Sequence, residues 1–343
     1  MNAFRPEPLE SCGIILTYQC TNRCRHCLYA SSPRARKWMD LAYLERLAVQ
    51  LRQLRRPVRS IHLAGGEPFI RFDLLVQAVQ LLVRAGLPLH YVETNAFWAT
   101  SDDVARQKLR TLKEAGLPAV LISVSPFHLE NIPFERTARA IRIAREVFGS
   151  WGTLLFTDGF YRHLEALGVR GRLSFDDYQK LVHREWLARQ ISVDYQFVPG
   201  GRAVYMLAHL FERQPPQAFF GQSCAHHLAY PGHVHLDLYG NYIGGLCAGI
   251  SVGRADDLAG LFQHGVDLGT RPVLERLVRG GVEALLQWAQ EEHGYRPLDA
   301  GYIAPCHLCV DIRRHLYAKG FRPPELAPDE FYRYLQQPVK ETA

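Results

Sequence analysis

The sequence predicts an α/β fold built on a parallel sheet, followed by a smaller domain of different composition. Up to residue 213, short runs rich in β-branched residues alternate with amphipathic stretches of helical periodicity. Strands separated by helices run parallel, and their crossover connections are right-handed, so the sheet is doubly wound or curled toward a barrel. In either case ligands bind at the carboxyl ends of the strands.

Six strands and the helices between them are predicted in this part of the chain. The strands cover residues 14–17, 58–63, 89–93, 119–123, 154–157 and 191–198. The helices cover residues 41–54, 74–84, 101–115, 134–148 and 174–189. The third of these helices has the clearest ends, because Ser101 is suited to cap its amino end and Gly116 follows its last turn.

The composition changes after Arg213, where the segment Gln-Pro-Pro-Gln interrupts the pattern. Beyond it, residues 234–238 and 242–246 flank a Tyr-Gly-Asn turn and predict a hairpin. Helical periodicity returns in residues 272–290. We therefore expect two domains, residues 1–221 and residues 222–343, the second of α+β class.

Composition and charge exclude several classes of protein. Of the 343 residues, 48% are apolar. This fraction is enough to bury a core, whereas a disordered chain has too few apolar residues to do so. No apolar run approaches the about 18 residues of a membrane helix, and no secretory signal is visible, so we expect a cytoplasmic protein without membrane contact. The net charge is +6, but 40 Lys and Arg are interleaved with 34 Asp and Glu, so nucleic acid is not an expected partner.

Three of the eight cysteines follow directly after the first predicted strand. Cys20, Cys24 and Cys27 form a CxxxCxxC motif in the loop toward the first helix. In a reducing compartment such cysteines are metal ligands or catalytic groups rather than disulfide partners. A [4Fe-4S] cluster held by only three thiolates leaves one iron open to a further ligand. A structural zinc site is the alternative, although zinc usually takes a fourth Cys or His.

A second motif follows the second predicted strand and consists of Gly65, Gly66, Glu67 and Pro68. Glycines let the backbone approach a ligand closely, and a carboxylate can accept hydrogen bonds from an ammonium group. With both motifs, the chain resembles the radical S-adenosylmethionine (SAM) superfamily over about residues 12–215. The resemblance implies a partial (β/α)6 TIM-type barrel, a [4Fe-4S] cluster on the three cysteines, and contact of the Gly-Gly-Glu motif with the amino group of SAM.

The resemblance also implies a reaction. The reduced cluster passes an electron to the sulfonium of SAM, a C–S bond breaks, and a 5′-deoxyadenosyl radical abstracts a hydrogen atom from the substrate. The electron is expected from a donor such as flavodoxin or ferredoxin. The cofactors carry this chemistry, while the protein excludes water and positions the substrate.

Further SAM contacts are implied at other family positions. Asn95 ends the third strand, and Ser123 and Ser125 end the fourth, where family members contact the sugar or carboxylate of SAM. His26 occupies a position that is usually aromatic and packs near adenine. Each strand-end residue has an alternative interpretation as an ordinary turn residue.

Two residues are candidate catalytic groups. His128 follows the fourth strand, so its ring is expected to face the mouth of the barrel as a proton donor or substrate contact. Arg202 lies in a Gly-Arg-Ala segment that resembles a junction in SPASM-type relatives, where it could hold a carboxylate or ribose. The alternatives are a loop-capping histidine and a surface arginine.

Four more cysteines lie in the second predicted domain, Cys224, Cys247, Cys306 and Cys309. The first two bracket the hairpin and the last two form a CxxC, an arrangement similar to the SPASM or twitch extensions of radical SAM proteins. That similarity implies one auxiliary [4Fe-4S] cluster, with a zinc-ribbon-like site as the alternative. The remaining Cys12 is expected to be a buried structural thiol.

The function expected from these resemblances is hydrogen abstraction from a peptide or protein side chain. SPASM-like relatives commonly modify peptides or proteins, whereas twitch relatives include dehydrogenases of sugars and aminocyclitols. A radical dehydrogenase or epimerase of a small molecule is therefore the alternative. A non-catalytic iron–sulfur redox protein is a third possibility, but an electron carrier has no use for an ammonium-binding carboxylate.

Overall fold

The structure is a computed structural model that describes residues 3–193 and 197–335. The strands of the described residues are β1 (Ala3–Phe4), β2 (Ser11–Ile15), β3 (Ser60–Ala64), β4 (Leu89–Thr94), β5 (Ala119–Ser123), β6 (Thr153–Phe156), β7 (His233–Asp237), β8 (Asn241–Gly244), β9 (Gly253–Arg254) and β10 (Val266–Asp267).

The α-helices are α1 (Leu41–Gln53), α2 (Phe72–Arg84), α3 (Asp102–Glu114), α4 (Pro126–Leu129), α5 (Phe134–Phe148), α6 (Asp158–Ala166), α7 (Phe175–Leu181), α8 (Arg184–Val193), α9 (Ala203–Met206), α10 (Ala225–Ala229), α11 (Leu258–His264), α12 (Pro272–His293), α13 (Pro305–Ala318) and α14 (Asp329–Leu335). None of these described helices has the length and hydrophobicity that a membrane span requires.

The chain divides into two compact units. The parallel-sheet unit takes its described residues from 10–24 and 32–197, and the C-terminal unit takes them from 3–9, 25–31 and 198–335. The long segment of the C-terminal unit thus begins at Val198, and a domain boundary at residue 222 stays a prediction.

In the parallel-sheet unit, β2 to β6 pair in chain order, and each pair is parallel. Because the strands follow one another in order and such crossovers are right-handed, the connecting helices lie on one face of the sheet. Each helix buries an apolar stripe, as α1 does with Leu44, Leu47 and Leu51. The α/β fold class with a parallel sheet is confirmed, and this sheet is open.

The predicted sixth strand, residues 191–198, is wrong in its first part. Ile191 to Val193 form the end of α8, residues 194–196 lie outside the described residues, and residues 197–200 are not in a strand. Leu187 and Ile191 are both buried and lie one turn apart on α8. Helical burial of these two side chains therefore overrides the β propensity of the Ile-Ser-Val run.

The C-terminal unit is built from antiparallel hairpins and helices, as its α+β class predicts. The expected hairpin is confirmed as β7 and β8, which pair with Leu236 opposite Tyr242. The Asp237 carboxylate closes its turn by accepting hydrogen bonds from the backbone N–H groups of Tyr239 and Asn241. The helix predicted at residues 272–290 is confirmed as α12, which breaks at Gly281 with a φ of 63°.

Candidate active site

The glycines of the Gly-Gly-Glu motif bring the end of β3 against the segment that leads to Cys20. Gly66 N–H donates to the Thr17 carbonyl at 2.7 Å, and Glu67 N–H donates to the Gln19 carbonyl at 2.8 Å. A Cβ on Gly66 would stand 2.0 Å from the Gln19 oxygen, which no side chain tolerates. The motif needs glycine for this backbone approach, and its position next to the first cysteine follows from it.

Glu67 is completely buried at the end of β3. Its Oε1 accepts from Phe69 N–H at 3.1 Å and from Thr94 Oγ1 at 2.9 Å, and its Oε2 accepts from Asn95 N–H at 2.7 Å. Burial raises the pKa of this carboxyl to about 7, although the three donors oppose the shift. Through these three protein donors, the Glu67 carboxylate links the ends of β3 and β4.

Asn95 carries this connection on to the cysteine loop. Its Nδ2 donates to Thr21 Oγ1 at 3.0 Å and to Cys20 Sγ at 3.6 Å. The Cys20 sulfur also accepts from Asn22 N–H at 3.3 Å. N–H donors directed at a sulfur stabilise its thiolate form, which is the form that binds a metal.

The three cysteines of CxxxCxxC are divided between the two units. Cys20 and Cys24 are buried in the parallel-sheet unit, and Cys27 is half-buried in the C-terminal unit together with the half-buried His26. Three thiols in this spacing fit the soft donor set of an iron–sulfur cluster. The chemistry of the loop therefore fits the cofactor that the motif implies.

Arg202 is buried in the C-terminal unit and contacts the segment that carries Cys27. Its backbone N–H donates to the Cys27 carbonyl at 3.1 Å, and its Nη2 donates to the Ser31 carbonyl at 2.8 Å. Gly201 precedes it with a φ of 55° and lies against the same segment, where a Cβ would be 2.3 Å from the Leu28 oxygen. In this structure Arg202 positions the segment that carries Cys27. Its contact with a carboxylate or ribose stays a prediction.

His128 and Ser125 form a pair after β5. The Ser125 hydroxyl lies 2.8 Å from His128 Nδ1, and both residues are buried. Burial lowers the pKa of His128 to about 4, so the imidazole is neutral at physiological pH. Ser123 lies two residues earlier, at the end of β5, and is half-buried.

The strands also carry polar residues that the motif analysis missed. His62 of β3 stacks on Tyr91 of β4 at 4.7 Å between ring centres, and its Nε2 lies 3.3 Å from Glu93 Oε1. Tyr91 and Glu93 alternate with the buried Val92 and so lie on the sheet face opposite to it. The available sequence signals were His62 between two apolar residues of β3 and Glu93 beside the apolar Val92 of β4.

Burial raises the pKa of Glu93 to about 7. A carboxyl with such a pKa can exchange a proton near neutral pH. Glu93 of β4 lies opposite Leu121 of β5 in the sheet register. Ser123 follows Leu121 by two residues, so its side chain lies on the same face of the sheet as Glu93. This face therefore combines a titratable pair with a hydroxyl and is suited to contact a polar ligand.

The four remaining candidate ligands lie together in the C-terminal unit. Cys224 directly precedes α10, Cys247 follows β8, and the other two lie within the first five residues of α13. The pKa of the Cys224 thiol is raised by burial and then by the charges of Cys309, Cys247 and Cys306, and the pKa of Cys247 is raised to about 12 by burial and by the α13 thiols. A metal that binds these thiols must displace their protons, so its binding would depend on pH. Four thiols in one unit fit, by their chemistry, the donor set of a thiolate-ligated cluster.

Cys12 differs from these seven. It lies within β2 without exposed surface, and burial raises the pKa of its thiol to about 12. A buried thiol with a raised pKa is chemically inert, which agrees with the structural role expected for Cys12.

Residues 14–165 match the family model of the Radical SAM superfamily. The matched range begins in β2, ends in α6, and includes both CxxxCxxC and the Gly-Gly-Glu motif. No curated protein matches the chain.

Weak similarities to solved structures accompany this match. BtrN in complex with AdoMet and 2-DOIA is 14% identical with a TM-score of 0.43, and the alignment covers 79% of this chain and 89% of that one. Native anSMEcpe with bound AdoMet and Cp18Cys peptide is 12% identical with a TM-score of 0.43, covering 91% and 98%. With TM-scores below 0.5, these similarities indicate no substrate.

Proposed function

Residues 14–165 of this enzyme are a radical SAM domain, and on this premise we propose that it abstracts a hydrogen atom from a peptide or protein side chain. One observation carries the radical chemistry: CxxxCxxC follows the first strand of the parallel sheet, and Gly-Gly-Glu follows the strand paired with it. In this proposal Cys20, Cys24 and Cys27 hold a [4Fe-4S] cluster. A cluster bound there supplies the electron that cleaves SAM.

The protein's own groups prepare this site. Asn95 and the Asn22 backbone direct N–H donors at the Cys20 sulfur, and Glu67 fixes Asn95 through its backbone N–H. Glu67 then serves SAM binding by positioning, in addition to the direct ammonium contact that its motif predicts. Gly65 and Gly66 also serve SAM binding, because they let the end of β3 approach the segment that leads to Cys20.

The remaining cofactor contacts are part of the same proposal. Residues His26, Pro68, Ser123 and Ser125 are proposed SAM contacts. The buried, neutral His128 and the loop-holding Arg202 are proposed to act on the substrate side of the reaction.

The substrate is proposed to lie against the sheet face that carries His62, Tyr91 and Glu93. Hydrogen abstraction would leave a carbon radical, and if its oxidation forms a double bond to a neighbouring atom, one electron would pass to the proposed auxiliary cluster and one proton would pass from that atom to a base. Glu93 can accept such a proton because burial raises its pKa to about 7. Aromatic and charged groups on one face suit a peptide side chain that is held by both packing and hydrogen bonds.

The four cysteines of the C-terminal unit support the peptide substrate. They are similar in order to the SPASM or twitch sets, and the peptide substrate follows from the SPASM similarity, while the charges of the other three thiols act on Cys224. We propose that they bind an auxiliary [4Fe-4S] cluster and that an external donor such as flavodoxin or ferredoxin reduces the protein. A sugar or aminocyclitol stays the alternative substrate.

The substrate class can be tested without knowing the substrate. Cells that make this protein are grown in deuterated medium, and their extract is separated into a peptide and protein fraction and a small-molecule fraction. Each fraction is incubated with the reduced enzyme and unlabelled SAM, and deuterium in 5′-deoxyadenosine is measured by mass spectrometry. We expect transfer from the peptide and protein fraction. Transfer from the small-molecule fraction alone would reject the peptide proposal, and the variant lacking Cys20, Cys24 and Cys27 controls for enzyme-independent exchange.

A further inference from the structure

Arg313 lies on the same face of α13 as the CxxC cysteines. It follows Cys309 by four residues and Cys306 by seven, which is one and two helical turns. Its side chain is buried, with 2% of the residue exposed. A charged residue in such a position needs a compensating group.

The hydrogen-bond partners of this guanidinium are neutral. Nη1 donates to the Ala248 carbonyl and to the Tyr332 hydroxyl, both at 3.0 Å, and the group lies 5.9 Å from the centre of the Phe331 ring. Its Nε is buried without a hydrogen-bond partner. Within the described part of the chain, no carboxylate is paired with this cation.

The loop that carries Cys247 is shaped to admit the guanidinium. Gly249 has a φ of 81°, and a Cβ there would stand 2.9 Å from Arg313 Nη1 and 2.4 Å from the Phe331 ring. Tyr332, which accepts from Arg313, also donates to the Gly249 carbonyl. Arg313 therefore ties the Cys247 loop to the helix that carries Cys306 and Cys309.

The negative charge available to this cation is that of the thiolates. Cys309 and Cys247 interact electrostatically with Arg313, and the charge of Arg313 also acts on Cys224 and Cys306. A metal centre with four thiolate ligands carries net negative charge, and an iron–sulfur cluster becomes more negative by one electron when it is reduced. A buried cation beside it favours the reduced form.

We infer that Arg313 is the counter-charge of the auxiliary cluster and raises its reduction potential. The inference rests on the proposed function only in requiring an iron–sulfur cluster at the four cysteines of the C-terminal unit. Arg313 is a positioning and charge-compensating residue that acts through the cluster.

The test uses the full-length protein in which Cys20, Cys24 and Cys27 are alanine, so that the auxiliary cluster is observed alone. The midpoint potential is measured by redox titration followed by electron paramagnetic resonance. At a fixed potential, Arg313→Gln should lower the ratio of reduced to oxidised cluster at least tenfold, which is a shift of about 59 mV for one electron. Arg313→Lys, which keeps the charge, should shift the midpoint potential less. Arg322→Gln, which removes an exposed charge from the same unit, should leave the midpoint potential unchanged.

An iron-loaded Arg313→Gln protein with the midpoint of its parent would overturn the inference. If Arg313→Gln fails to take up iron, the Lys variant must restore the iron content, and loss in both variants would overturn the charge-compensation role. A parent protein that binds zinc, or no metal, in the C-terminal unit would overturn both this inference and the auxiliary cluster. SAM cleavage by the wild-type protein is measured separately and reports on the core cluster alone.

Discussion

Replacing Cys20, Cys24 and Cys27 with alanine should abolish formation of 5′-deoxyadenosine from SAM and remove about four irons from the reconstituted protein. These cysteines are the proposed ligands of the core cluster, and the four cysteines of the C-terminal unit are proposed to hold a separate one. Without the open iron, SAM has neither its binding iron nor its electron source. Iron analysis and chromatography of the nucleoside products measure both effects.

The control is Cys12→Ala, which makes the same chemical change in β2, at a thiol without exposed surface. It should keep its iron and its SAM cleavage, with a stability loss of about 1 kcal/mol from the vacated volume. If the triple variant still cleaved SAM, the cluster would have to be held elsewhere.

Replacing Cys306 and Cys309 with alanine should lower the iron content from about eight to about four atoms while SAM cleavage survives. These cysteines lie near the start of α13 in the C-terminal unit, whereas Glu67, Cys20 and Cys24 lie in the parallel-sheet unit, and Cys27 lies in the separate 25–31 segment. Turnover of the natural substrate should be lost, because the auxiliary cluster is proposed to accept an electron from the product radical or to anchor the substrate.

Loss of a closed metal site can also unfold a small unit. Circular dichroism of the same samples separates this effect from a redox role. Zinc in place of iron at this site in the wild-type protein would contradict the redox role and leave the fold unchanged.

Much of the fold could be predicted because its signals are local. The alternation of strands with amphipathic helices was sufficient for β2 to β6, and Ser101 caps α3 as expected, with its hydroxyl accepting from Val104 N–H. The predicted strand at residues 191–198 was wrong at Ile191 to Val193 because burial of Leu187 and Ile191 on α8 is a tertiary effect. Local β propensity does not report such packing.

The candidate site divides in the same way. CxxxCxxC and Gly-Gly-Glu are contiguous, so the sequence was enough to find them. The bonds from Glu67 to Thr94 and Asn95 join two strand ends that are 27 and 28 residues apart, and the His62–Glu93 pair depends on the register of β3 and β4. Arg313 could not be recognised from the sequence, because its role depends on how the loop after Cys247 folds over α13.

The most direct test of the central claim is SAM cleavage by the wild-type protein. The protein is reconstituted with iron and sulfide under anaerobic conditions, reduced with dithionite, and incubated with SAM, and its products are identified by mass spectrometry. We expect 5′-deoxyadenosine and methionine in equal amounts, formed only when both the reductant and the iron-loaded protein are present. An iron-loaded, reduced protein that binds SAM but releases no 5′-deoxyadenosine, with or without the deuterated peptide and protein fraction, would contradict the assignment as a radical SAM enzyme.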